Sequence, residues 1–293
     1  MKAISYPIYA ANIITAYLEC IKKESKNIRS LRDAEPLHRL RIATRRLRAA
    51  LTIFENLFLH QELKKWKKEI RRLGRALGAA RDLDVQLRFL KSFQSKNTAC
   101  AADLEFLVRI LHKKRSEAQK VVVSAVCKTA QKNTLNAITE YLTTLRTSNK
   151  KVSRTNLSFE IRETISHRLA DLLSYRRYVN QPRQSKKLHE MRIAAKQLRY
   201  TLEIFEQLSR RKLHRFAVLT RRIQDTLGDL HELDVWLITL PHLTRECGIH
   251  RTKAAVMLRQ KCTALRQTSY VQFVNLWNET TRKKIWPQLK AAI

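Results

Sequence analysis

One stretch of this chain occurs twice. Residues 37–57 read LHRLRIATRRLRAALTIFENL, and residues 188–208 read LHEMRIAAKQLRYTLEIFEQL, identical at 12 of 21 positions at an offset of 151. Further along, RRLGRALGAARDLDVQLRFL at 71–90 returns as RRIQDTLGDLHELDVWLITL at 221–240, identical at nine of 20 positions at an offset of 150. Two blocks in one order, with nearly one spacing, restrict the chain to folds made of two copies of one unit. The copies fall at 1–146 and 158–293, and the basic, polar stretch 147–157 joins them.

The unit is helical. The 293 residues include only 4 Gly and 5 Pro, far below the ~12% that these two residues average together. Sheets need them for their turns, whereas long helices do not. In the first copy the periodicity places helices near 8–29, 35–58, 60–95 and 101–146, with a break around Asn133. In the second it places them near 158–178, 186–208, 210–243 and 251–290, with a break near Ser269. Pro36 suits the first turn of its helix, and Pro182 sits in the corresponding connection. Short links between long helices favour antiparallel packing. The expected fold is all-α: two tandem four-helix, bundle-like units related by internal duplication and a pseudo-two-fold.

Charge narrows the partners. Lys and Arg number 59 against 25 acids, a formal net of +34. Solubility needs a net charge of roughly 2–8 in a small domain. So large a surplus points instead to a polyanion that relieves the repulsion. The five scattered cysteines form neither a C-x-x-C motif nor a zinc knuckle, and read as buried free thiols in a reducing cytoplasm. The uncharged segment 3–18 follows a lone Lys2, but the spacing of Ile14, Leu18 and Ile21 fits an amphipathic helix. No stretch reaches the ~20 apolar residues of a membrane span. A cytoplasmic protein without a membrane partner is expected.

The repeated blocks say where an anion would sit. His38, Arg41, Arg45 and Arg48 lie at i, i+3, i+7 and i+10, and so do His189, Arg192, Lys196 and Arg199. At ~100° per residue each set forms one ribbon ~15 Å long. Leu37, Leu40, Leu47, Leu51 and Phe54 occupy a different face and supply core contacts. Arginine's planar fork binds two phosphate oxygens at once, lysine adds a mobile charge, and a protonated histidine donates from both nitrogens. Solvated charge runs usually intersperse acids at i+4. Between Leu37 and Arg48 there are five arginines and no acid.

In the second block Arg71 and Arg72 match Arg221 and Arg222, and these four join the ribbons as candidate anion ligands. Gly78 and Gly228 sit inside helices, where close approach of a neighbouring helix would explain them. Asp84 and Asp234 read as ionic partners that orient ribbon arginines. Asp229, His231, Glu232 and Asp234 have the look of a metal cluster, but their counterparts Ala79, Arg81, Asp82 and Asp84 cannot be one. No metal, cofactor or catalytic residue is expected.

HxxRxxxRRLR in the first copy, HxxRxxxKxLR in the second, and the LG…RDLDV and LG…HELDV blocks together resemble the CHAD family, the conserved-histidine α-helical domain. The resemblance spans essentially the whole chain. It implies two four-helix units about a basic central cavity that binds inorganic polyphosphate, and association with polyphosphate granules. His38, Arg41, Arg45, Arg46 and Arg48 would line that cavity, with His189, Arg192, Lys196 and Arg199 opposite. The second copy departs from the pattern: Lys196 and Gln197 stand where Arg45 and Arg46 do, and His231 replaces Arg81.

Nucleic acid is the second-choice partner. Single-strand binders interleave aromatic stacking platforms with basic groups, but the first ribbon has none and the second only Tyr200. A phosphohydrolase or kinase would need metal-holding carboxylates or a Walker-type loop; the sequence carries no GxxxxGK[ST] motif, and the ribbons contain no acid beyond Glu190. The residues do not specify an oligomeric state.

Overall fold

A computed structural model describes residues 5–28, 34–147, 154–209, 212–249 and 252–293. No strand occurs among them. The helices are α1 (Tyr6–Asn27), α2 (Ala34–Ile53), α3 (His60–Lys96), α4 (Ala101–Gln131), α5 (Thr134–Thr147), α6 (Arg154–Ser174), α7 (Ser185–Phe205), α8 (His214–Glu246), α9 (Lys253–Arg282) and α10 (Ile285–Ala292). Single 3₁₀ turns at Glu55–Leu57, Thr98–Cys100 and Arg176–Tyr178 sit in the connections. The expected linker 147–157 lies largely outside the described residues, and helix has resumed by Arg154.

The chain divides into two compact units. One holds residues 1–96 and 108–157, and the other holds 97–107 and 158–293. The sequence gives no sign that 97–107 goes with the second. Leu104 and Leu107 are fully buried there, and the Cys100 thiol meets Met257 Sδ at 3.9 Å.

In the first unit α1 packs on α2 and α5, and α2 on α3. Pro7 opens α1, where its missing N–H costs nothing. Ile14, Leu18 and Ile21 then face the core, as do Leu37, Leu40, Leu47, Leu51 and Phe54 of α2. The rings of Tyr6 and Tyr9 meet Phe54 edge-on, at 5.4 and 6.4 Å. In the second unit α8 packs on α7 and α9, and α9 on α10. Its core is built on Phe205, Phe216, Phe273, Trp236 and Trp277. Helix α8 ends on Gly248 (φ 71), where the Ile249 N–H reaches back to the Thr244 carbonyl.

Four details recur at a constant offset of 151. Asn133 (φ 52) separates α4 from α5, and Lys284 (φ 51) separates α9 from α10. The Thr129 and Thr280 hydroxyls bond back to the Ala125 and Leu276 carbonyls. The Gln119 amide donates to the Ile28 carbonyl, and the Tyr270 hydroxyl donates to that of Val179. Arg115 and Arg266, also 151 apart, each bond an aspartate of the preceding helix.

The break expected near Ser269 is therefore displaced: α9 runs through Ser269 and stops at Arg282. Asparagine tolerates the left-handed conformation and announces it in the sequence, whereas lysine does not. Glycines 78 and 228 are not close-approach residues either, because a Cβ on each would meet open space. The five cysteines are free, but only Cys100 and Cys262 are buried. Cys127 lies on an exposed face of α4. No helix among the described residues is long and apolar enough to cross a membrane.

Candidate anion-binding site

Each ribbon borders its unit's apolar seam. On α2, His38, Arg41, Arg45 and Arg46 are half-buried and Arg48 stays accessible, while Leu37, Leu40 and Leu47 beside them are buried. The arginine stems can cover apolar surface while their heads reach water. Arg39, off the ribbon, is tied instead to Glu24 at 2.9 Å and Glu35 at 3.4 Å.

Helix α3 contributes further cations. Arg48 lies against α3 at Gly74, its Nη1 and Cδ 3.5 and 3.7 Å from where a Cβ would stand, which is ordinary contact distance. Although the Arg48 side chain stays accessible, the packed residues around it strip part of its hydration and push its pKa below the ordinary value, and the positive charges of Arg71 and Arg75 push it further. His38 is lowered by burial, then by Arg81, with Arg41 and Arg45 adding to it against Glu35. Arg75 and Arg81 thus belong beside the ribbon; the sequence marks Arg81 only as the counterpart of His231, and it does not mark Arg75.

In the second unit His189 meets His231, the residue that stands at the Arg81 position. Their Nδ1 atoms are 3.1 Å apart and their ring centroids 4.0 Å. A hydrogen bond here needs one ring with an Nδ1 proton and one without; protonating both would set two N–H groups and two charges face to face. Burial and the neighbouring Arg192 and Lys196 lower the His189 pKa against Glu190. Burial, His189 and Arg192 bring His231 down to about 4. With their pKa values lowered, both histidines are neutral at pH 7.

Lys196 and Arg192 are half-buried on α7, and Arg199 is only 6% exposed. The Arg199 guanidinium lies 4.6 Å from the Tyr200 ring centroid and 3.3 Å from Glu203. Arg221 of α8 joins it, donating to the same carboxylate at 2.7 Å.

Two candidates stand apart from these groups. Arg72 pairs with Glu69 at 2.7 Å, and Glu69 also takes Lys132 at 2.7 Å. Arg222 lies toward Glu279 of α9, whose pKa its charge helps to lower. Consecutive residues on a helix diverge by ~100°, so Arg71 and Arg72 cannot both face the ribbon. The repeated aspartates also differ from expectation. Asp84 bonds Arg115 at 2.7 Å and Asp234 bonds Arg266 at 2.5 Å, so neither orients a ribbon arginine. Arg266 further donates to the Pro182 carbonyl at 2.8 Å, and Arg115 to Gln119 at 2.9 Å. These pairs fasten the fourth helix of each unit to the third. No group of three or more His, Cys, Asp or Glu among the described residues is placed to hold a metal ion.

The fold has solved counterparts. The CHAD domain from the plant Ricinus communis superposes with a TM-score of 0.72 at 22% identity, covering 93% of this chain and 91% of that one. PptA from Streptomyces chartreusis superposes at 0.65 with 13% identity, covering 93% and 99%. No curated protein matches the sequence. The family model of the CHAD domain matches residues 12–241, a span that contains both histidine ribbons and both LG…LDV blocks, and the chain belongs to the CHAD domain family.

Proposed function

We propose that this chain binds inorganic polyphosphate on its His/Arg/Lys ribbons without transforming it, and that it associates with polyphosphate granules in the cytoplasm. CHAD domains as a family bind polyphosphate, which supplies the substrate class. The observation that carries the reading here is that Arg48 lies against α3 at Gly74 beside Arg71 and Arg75, and that His38 is lowered by burial and then by Arg81. Cations set against cations are stabilised by an anion with regularly spaced charges. In this reading 1–146 and 158–293 are the two halves of one CHAD-like domain, connected by 147–157.

The repeated carboxylates favour binding over chemistry. Asp84 and Asp234 are occupied by Arg115 and Arg266, which leaves them poorly placed to hold a metal for phosphoryl transfer. Competition titrations test the partner: polyphosphate should displace a labelled polyphosphate chain at lower concentration than DNA of equal charge. Equal potency would favour nucleic acid or a non-selective cationic surface. Incubation with polyphosphate and magnesium should leave chain length unchanged, and shortening would make the protein a hydrolase.

A further inference from the structure

The two ribbons differ most at their C-terminal ends, and the differences concern one group of atoms. In the second unit Glu203 accepts from Arg221 at 2.7 Å and lies 3.3 Å from Arg199. Asp225 adds a second negative charge, which helps raise the Arg221 pKa behind the Glu203 hydrogen bond. The Gln224 amide donates to Asp225 at 3.0 Å.

Every one of these acids is missing from the first unit. Thr52 stands at the Glu203 position, Gly74 at Gln224 and Arg75 at Asp225. The Thr52 hydroxyl donates to the Arg48 carbonyl of its own helix at 3.1 Å and brings no negative charge to a guanidinium. Arg48 lies against α3 at Gly74, where Arg71 and Arg75 act on it. Among the described residues no carboxylate pairs with Arg48, Arg71 or Arg75. The first unit thus sets three positive charges without an acid at positions where the second balances two arginines with two acids.

We infer that the ribbons are unequal anion sites: Arg48, Arg71 and Arg75 form the principal phosphate subsite, and Glu203 acts as an internal stand-in for phosphate that keeps Arg199 and Arg221 occupied. The inference rests on the polyphosphate reading and adds the residues that rank the two units. A carboxylate and a phosphate oxygen make the same charge-assisted bonds to guanidinium. Any anion reaching Arg199 must displace Glu203, whereas one reaching Arg48 has no paired carboxylate to displace among the described residues. Burial, followed by the charges of Arg71 and Arg75, lowers Arg48, whereas the Glu203 hydrogen bond raises Arg221.

Two substitutions in the full chain exchange these states, and tripolyphosphate, short enough for one ribbon, is the probe. Thr52→Glu supplies the first unit with its own acid. It should weaken tripolyphosphate binding by roughly tenfold or more, about the worth of one charge-assisted hydrogen bond. The same change should raise the melting temperature of the free protein, since it relieves repulsion among the three arginines. Glu203→Gln releases Arg199 and Arg221. It should tighten binding by several-fold, steepen the salt dependence, and lower the melting temperature of the free protein by stranding the buried Arg199. Circular dichroism checks that both variants fold, and Thr52→Glu, on an accessible helix face, decides the matter if Glu203→Gln does not. Wild-type binding that neither change alters would overturn the inequality alone. Failure of wild type and variants to bind any phosphate chain would overturn the polyphosphate reading and the inequality together.

Discussion

The His189–His231 contact makes a prediction about the free protein. His231 is brought down to about 4, whereas an unfolded imidazole titrates near ~6.5. Between those values the unfolded chain binds a proton that the folded one refuses, so stability falls as pH drops below ~6.5. At pH 7.5 the cost is negligible. At pH 5 the unfolded ring is protonated and the folded ring is not, a difference of about 2 kcal/mol at ~1.4 kcal/mol per tenfold. The ring is only half-buried, and solvent screening reduces this to about 1 kcal/mol, or roughly 2–4 °C of melting temperature for a domain of this size. The perturbation is His231→Phe, which keeps an aromatic ring and removes the titration. Melting temperatures of wild type and variant at pH 7.5 and 5.0 give the assay. General repulsion remains in both proteins and cancels in the difference, and His231→Phe in a His189→Phe background removes the contribution of the partner ring. Wild type should lose those extra degrees on acidification. Equal losses, or an NMR titration putting His231 at an ordinary imidazole value, would refute the reasoning.

Four further outcomes follow from particular contacts. Polyphosphate affinity should fall log-linearly with salt, as counterion release requires for a linear polyanion; affinity unchanged between 50 and 200 mM salt would contradict a charge-driven site. Gly78→Ala and Gly228→Ala should each stabilise the protein by about 0.5–1 kcal/mol in urea unfolding, since helical glycine is costly and a Cβ meets open space at both positions. Lys284→Gly should add about 0.5–1 kcal/mol by relieving a left-handed residue, and a loss of stability would show that the Lys284 side chain contributes more than its backbone costs. Arg266→Ala should cost about 2–3 kcal/mol by stranding Asp234 and the Pro182 carbonyl, and a double-mutant cycle with Asp234→Asn should show that most of the loss belongs to the pair.

What was legible in the chain was whatever repeats within a helix or between the copies. The ribbon residues are three and seven apart, so helical periodicity alone aligns them, and the leucines on the neighbouring face follow from the same count. The helical class followed from the scarcity of turn residues. Pairings between helices were harder. Arg115 lies 31 residues from Asp84 and Arg266 lies 32 from Asp234, with no local pattern to mark them, so the aspartates were matched to the wrong arginines. A usable signal existed, because the two arginines are 151 apart, the offset of the first repeated block. The same offset added to Asn133 lands on Lys284, where α9 stops. Burial and charge crowding were not legible, since a histidine's protonation depends on which side chains surround it. The neutral His38 and the His189–His231 contact needed the fold.

The position shared by Thr52 and Glu203 shows two demands on one helix working against each other. A helix carrying arginine is stabilised by an acid four residues on, and Arg199–Glu203 is such a pair. The same acid occupies the guanidinium that a phosphate would need. In the first unit the position holds a threonine, a weaker helix former, and Arg48 is left among like charges. That arrangement is unfavourable in isolation. It becomes favourable when an anion binds the folded protein and not the unfolded chain, because binding then adds stability in proportion to the logarithm of ligand concentration over Kd. The buried leucines on the neighbouring face of α2 hold the helix in place meanwhile, so the charged face need not contribute to folding. Stability supplied by one face of a helix is what allows the other to wait uncompensated for its ligand.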